Sequence, residues 1–278
     1  MVLRALSFVL LFQAAGIAVF MAIFGRRLEQ SAEWVRRAGR FAALAAMAFV
    51  TAHYALEAAR MAGELPGMFD AALQATVWHS PTRWALFARL GGLALIAIGL
   101  RSAGKLSGLL GAAGAILAVF AFTLTGHTST NPHRAVLEAL LGIHLLIVAF
   151  WFGALGPLYV VSARETTGTA CRIIARFTEL ATWLVPGILL AGAAMAFLLV
   201  PSVSALTEPY GELLIAKVVA FALLMGLAAA NKRRLGPALA AGSVEAGRRF
   251  RRSIGAEYGL IAAVLAVTAV MTTFFSPE

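Results

Sequence analysis

Apolar residues along this chain come in long unbroken runs and do not alternate with polar ones. Eight runs stand out: Leu6–Phe24, Phe41–Arg60, Arg83–Leu100, Ser107–Thr125, Ala135–Val161, Thr178–Val200, Gly211–Ala230 and Tyr258–Phe274. A helix of about 20 mostly apolar residues crosses the hydrocarbon core of a bilayer. A membrane β-barrel would instead show strict alternation of apolar and polar positions. The pattern therefore predicts an all-α polytopic membrane protein, a bundle of eight transmembrane helices forming a single integral membrane domain over residues 1–278. The first run resembles a secretory leader in position only. It has one basic residue before it (Arg4), no small-residue cleavage site after it, and Arg26 and Arg27 closing it, so it is expected to stay as a helix.

Composition agrees with this reading. Of 278 residues, 61% are hydrophobic and 13% charged, and mean hydropathy is +0.86. These values exclude disorder and an ordinary water-soluble globule. The formal charge of +10 would point to nucleic acid on a soluble protein, but its distribution points elsewhere. Of the 23 Lys and Arg residues, 17 fall in the connections after runs 1, 3, 5 and 7. Basic residues accumulate on the cytoplasmic side of membrane proteins. Those connections are therefore expected inside, with both termini periplasmic, in a multi-pass protein of the cell inner membrane that binds no nucleic acid. Cys171 is the one cysteine, which excludes an internal disulfide and a Cys-based zinc site. Met68–Val77 is expected to form a short interfacial helix, and Lys232–Gly255 a basic surface helix.

The chemistry-bearing residues lie toward the opposite, outer side. His79, His127 and His133 fall in or beside outer connections, and His53 lies about two turns below the outer end of run 2. His144 lies about 16 Å along run 5, near mid-membrane. His133 and His144 are 11 residues apart and share a helical face, which Trp151 continues. His53 and Glu57 are four apart, so the carboxylate can orient the imidazole. Glu57, Arg89, Glu138, Glu212 and Lys217 all fall in the outer half, as a polar vestibule or as ion pairs of Lys217 or Arg89 with one of these carboxylates. Glu179 and Glu257 are expected to be neutralised by arginines at inner helix ends. Met61 and Met68 are the methionines placed to act as soft ligands near His79, the others being core filler. Imidazole and thioether together suit copper better than calcium or magnesium, without excluding zinc, nickel or haem.

Gly126-His127, followed by His144, Trp151 and Gly153, resembles the G-H…H-x6-W-x-G signature of the copper-resistance protein D family. Arg176-Phe177-Thr178 is similar to that family's R-(Y/F)-(S/T) element. Tyr210-Gly211-Glu212 with Leu213 and Lys217 is similar to its Y-G-x-x-L-x-x-K stretch, and Asn231-Lys232 with Pro237 to its N-(K/R)-x…P element. Glu257 and the final Ala-rich helix also fit. The likeness covers a core of about residues 124–274.

The resemblance implies an inner-membrane protein of periplasmic copper handling, working beside a periplasmic copper-binding protein, with His127 and His144 on the metal path. The expected function is copper transport or tolerance. Outer-face His79, His127 and His133 capture the ion with help from Met61 and Met68. His144 and His53 receive it, and Glu57 and Glu138 offset its charge. No phosphate-binding loop is present, so the chain carries no ATPase of its own. Nor is there a nucleophile–base set that would make it an enzyme. Two other readings stay open: a membrane cytochrome b with His53 and His144 ligating one haem, and a non-catalytic membrane partner of a periplasmic protein.

Overall fold

A computed structural model describes residues 2–125, 132–199 and 208–274, and among these no residue is in a strand. The first helices are α1 (Val2–Phe24), α2 (Ala32–Ala55), α3 (Glu57–Ala62), α4 (Ala71–His79), α5 (Pro81–Gly99) and α6 (Lys105–Phe120). The remainder are α7 (Arg134–Arg164), α8 (Thr167–Leu184), α9 (Pro186–Leu199), α10 (Pro209–Ala230), α11 (Gly236–Ala240) and α12 (Val244–Phe274). Joining consecutive helices gives seven spans long and apolar enough to cross a membrane: Val2–Arg27, Ala32–Ala62, Pro81–Gly99, Arg134–Arg164, Thr167–Leu199, Gly211–Ala240 and Val244–Phe274. Their outward surfaces carry exposed large apolar side chains, including Phe197 (87% exposed), Trp183 (82%) and Phe41 (73%). In water such a surface would be costly; against lipid tails it costs nothing.

The fourth predicted run is the exception. Its helix, α6, has 16 residues, about 24 Å at 1.5 Å per residue, which is short of the roughly 30 Å hydrocarbon core. Gly104, at φ +148°, stops it at one end. At the other the chain turns over Phe120, whose carbonyl accepts from the Thr123 hydroxyl at 2.9 Å.

Other boundaries move outward. The last helix begins at Val244, not Tyr258, so the expected separate basic helix is largely its first turns. Likewise Arg36, Arg37 and Arg40 belong to α2, and Arg172 and Arg176 to α8. The apolar pattern ends before the helix does because arginine and glutamate are good helix formers that pair at i,i+3 and i,i+4. Glu33 takes Arg36 and Arg37, and Glu245 takes Arg248 and Arg249. The interfacial helix starts later than expected, at Ala71. Pro66 and Gly67 sit in a tight 3-10 turn, and Asp70 caps the helix by accepting from the Ala72 and Leu73 amides at 2.8 and 3.0 Å.

Helix α1 is the centre of the bundle. Leu11, Phe12, Ala14, Ala15, Ile17, Ala18, Phe20 and Phe24 are almost wholly buried, against α2, α5, α6, α7 and α12. At its crossing with α7, Gly16 and Gly153 touch backbone to backbone: a Cβ on Gly153 would stand 2.3 Å from the Gly16 Cα. Small residues permit such crossings in a bilayer, where close packing has to hold helices together.

The basic connections gather at one end. Glu165, just after α7, points its Oε1 at the start of α2 and accepts from the amides of Glu29 (3.2 Å), Gln30 (3.0 Å) and Ser31 (2.8 Å). The Ser31 hydroxyl adds a fourth bond at 2.5 Å. Arg164 lies over the Trp34 ring at 4.1 Å, and Arg251 of α12 donates to the Ser162 carbonyl at 3.3 Å. The two ends of the described chain meet at the other end, where Arg4 donates to the Thr272 carbonyl (3.1 Å) and the Thr273 hydroxyl (3.0 Å).

Candidate functional site

Helix α7 carries His144 part-way along its length, with its ring against α9. Nδ1 lies 3.0 Å from the Ile188 carbonyl, and the ring packs on Gly192, where a Cβ would sit 3.6 Å from Cε1. A carbonyl oxygen accepts only, so Nδ1 carries the hydrogen and, in the neutral imidazole, Nε2 keeps its lone pair. This is the arrangement in which a backbone carbonyl orients a ligating histidine. Lys217 of α10 lies within electrostatic range of the ring. Its Nζ is 4.0 Å from the sulfur of Met271 on α12. Met195 is three residues beyond Gly192 on α9, on the helix face that Ile188 and Gly192 share. Met271 thus stands beside Lys217, and Met195 lies on the α9 face that meets the His144 ring.

Deeper toward the basic end is a second cluster. Glu257 is 3% exposed. It accepts from the Asn231 side-chain amide at 2.5 Å and from the Trp151 indole N–H. Trp151 is 4% exposed, with its ring edge-on to Phe221. Asn231 opens a five-residue π-helical stretch, Asn231–Leu235, between α10 and α11, a distortion common at functional positions. The expectation that arginines neutralise Glu257 is therefore corrected: two neutral donors, Asn231 and Trp151, hold it, because α12 turns it inward, away from the arginines of its first turns. Glu179 does pair with Arg176. Three separate sequence motifs meet in this cluster, which their spacing could not reveal.

His53 has different surroundings. Its Nδ1 is 3.8 Å from Glu57, but that carboxylate is held by Arg60 at 2.6 Å. Arg4 and Arg60 both act electrostatically on the His53 ring. A cation would meet two guanidiniums and one carboxylate already in use. The neighbours of His53 are Glu57, Arg4 and Arg60, and those of His144 are Ile188, Gly192 and Lys217.

The expected ion pairs of Lys217 and Arg89 are also corrected. Among the described residues Glu57 pairs with Arg60, and Glu138 with Arg134 at 2.6 Å, each within its own helix. Glu212 is exposed. Lys217 and Arg89 have no carboxylate partner among the described residues, since Glu57 and Glu138 are taken by arginines three or four positions away and Glu212 faces outward.

The described outer capture residues sit on several elements. Met61 is 53% exposed at the end of α3, Met68 is half-buried in the 3-10 turn, and His79 is exposed at the end of α4. His133 stands exposed at the N-terminus of α7, and His127 lies outside the described residues. Among the described residues no three His, Cys, Asp or Glu side chains are grouped as a metal site.

The sequence profile of one family, Copper resistance protein D, matches residues 171–271, from within α8 to near the end of α12. That segment contains Lys217, Asn231, Glu257 and Met271. Copper resistance protein D of Pseudomonas syringae pv. tomato is 30% identical over 178 residues, covering 59% of this chain. The match spans 57% of that relative's length. No solved structure matches the chain.

Proposed function

We propose that this multi-pass membrane protein, whose residues 171–271 match the Copper resistance protein D family, confers copper tolerance by taking copper from the periplasmic face into or across the inner membrane. The observation that carries the reading is His144: a buried imidazole with Nδ1 tied to the Ile188 carbonyl and Nε2 left as the donor atom. Met271 and Met195 supply soft sulfur of the kind that selects copper over hard cations. His79, His127, His133, Met61 and Met68 form the outer approach, with Glu138 beside it. His53 contributes less, because Arg4 and Arg60 repel an incoming cation.

All eight apolar helices cross the bilayer in this reading, α6 being short. The 17 basic residues of the odd-numbered connections lie inside, and both termini lie outside. The whole chain is one membrane domain, and residues 124–274 are its copper-resistance core. A periplasmic copper-binding protein is the natural donor or acceptor. With no nucleotide-binding loop, movement follows a gradient, the membrane potential or that partner.

The test compares His144→Ala with His53→Ala in cells under copper stress and in purified protein. The expected result is about a tenfold or greater loss of copper content and tolerance for His144→Ala, with a much smaller change for His53→Ala. Unchanged copper content and tolerance in His144→Ala would overturn the proposal, as would a haem Soret band in the purified protein.

A further inference from the structure

Arg89 sits eight residues into α5, about 12 Å from its start. Its guanidinium lies over the Phe122 ring at 4.4 Å. An arginine has five N–H donors and no acceptor. Here the buried Nε reaches no acceptor among the described residues. The charged group within electrostatic range is Arg4, a second cation. Glu57, the carboxylate nearest in charge to Arg4, is already bound by Arg60 at 2.6 Å. The elements packed against α5 are α1, α2, α4 and α6. On the half that faces Arg89 they bring Arg4, His53 and His79, and no carboxylate.

A cation within a membrane helix is costly and normally pairs. A ring face offsets only about 1–2 kcal/mol of that cost. A guanidinium with a buried, unpaired Nε and a second cation, Arg4, as its charged neighbour therefore marks a place for a negative charge. The depth fits. Six residues earlier on α5, Arg83 is flanked by Trp78 and Trp84 at 5.3 and 4.7 Å. Tryptophan and arginine grouped in this way anchor a helix at headgroup level. Arg89 lies about 9 Å below Arg83, within reach of a phosphate drawn down from the interface.

We propose that Arg89, assisted by Arg4, binds a phosphate oxyanion at the junction of α1, α5 and α6. The planar guanidinium fork matches phosphate in a bidentate manner. The phosphate comes from an anionic phospholipid headgroup or from free inorganic phosphate, and the two sources are separable by experiment. This site is independent of the copper reading.

Full-length protein would be delipidated in a non-ionic detergent, and its Tm followed while either phosphatidylglycerol or inorganic phosphate is added. The expected result is a rise of about 5 °C at saturation with at least one of them. Phosphatidylglycerol alone acting identifies a lipid site, and inorganic phosphate alone a free-anion site. Arg89→Met should abolish the rise and Arg89→Lys keep part of it. If neither addition moves the wild type, or Arg89→Met responds equally, the proposal fails. It also fails if Arg89→Met is more stable than wild type in every condition, as expected for removal of a charge that nothing neutralises. Should Arg89→Met not fold, Arg4→Gln and the phosphorus content of gently purified wild type decide. Less than one phosphorus per chain, or an undiminished response in Arg4→Gln, overturns the proposal.

Discussion

Alanine at Gly153 is expected to cost at least about 3 kcal/mol, the upper end of overpacking penalties, and valine to prevent assembly of the bundle. The new Cβ would stand 2.3, 2.8 and 2.9 Å from the Gly16 Cα, C and N. These are backbone atoms, so no rotamer change relieves the clash, and α1 and α7 must separate. Separation is expensive because α1 is the central helix and its small residues are fully buried. In lipid, no hydrophobic gain draws the helices back together once close packing is lost. The reciprocal change, Gly16→Ala, meets the Ala149 carbonyl at 2.0 Å and should be as damaging. Gly226→Ala and Gly259→Ala serve as controls, since nothing lies within 4 Å of the added carbon. They are expected to stay within about 0.5 kcal/mol of wild type. Thermal unfolding in detergent measures all four, and a Gly153→Ala protein as stable as the controls would refute the crossing.

Glu165→Ala is expected to cost about 2 kcal/mol, a charged hydrogen-bond contribution lessened by the partial exposure of the carboxylate. The loss leaves three α2-proximal amides and the fully buried Ser31 unpaired. Burial alone would raise the Glu165 carboxyl above its ordinary 4.5, but the Ser31 hydroxyl and the Ser31, Gln30 and Glu29 amides outweigh it and hold the carboxyl lower. The sign follows. A carboxyl whose folded value is depressed stabilises fully above its unfolded value and loses that contribution as pH falls through the folded one. Wild-type stability should therefore be flat in this respect above about pH 5 and decline below the ordinary carboxylate range. Glu165→Gln keeps an acceptor oxygen but cannot titrate, so it should be less stable at neutral pH and converge on wild type in acid. Parallel melting curves across pH for the two proteins would contradict this account.

Much of the fold was legible in the chain because apolar periodicity and charge bias are local signals. A run such as Arg83–Leu100 must be helical in lipid, where every backbone amide needs an internal partner. The arginine bias likewise sorts the connections into two groups without reference to any contact. Boundaries were less legible. Glu33 and Glu245 stabilise helical turns that carry no apolar residue, so α2 and α12 start earlier than hydropathy alone indicates.

The candidate site was only partly legible. His144 stands out in the sequence by its depth, but its bond to the Ile188 carbonyl joins two helices 44 residues apart and is visible only in the fold. His53 looked equivalent in the sequence, yet Arg4, 49 positions away, stands beside its ion pair with Glu57 and changes the charge a ligand would meet. Glu257 looked like a surface carboxylate among arginines, whereas its partners are Trp151 and Asn231.

By itself, the sequence determined that this is an all-helical membrane protein with a basic end and a histidine-bearing remainder, since hydropathy and charge act residue by residue. Only the tertiary structure decided which polar groups share an environment: Trp151 with Asn231 and Glu257, Lys217 with Met271, and Arg89 with Arg4 and, among the described residues, no carboxylate. Those pairings depend on how separate helices rotate and cross, at contacts such as Gly16 on Gly153. That geometry is set by packing between distant segments, which no local pattern encodes.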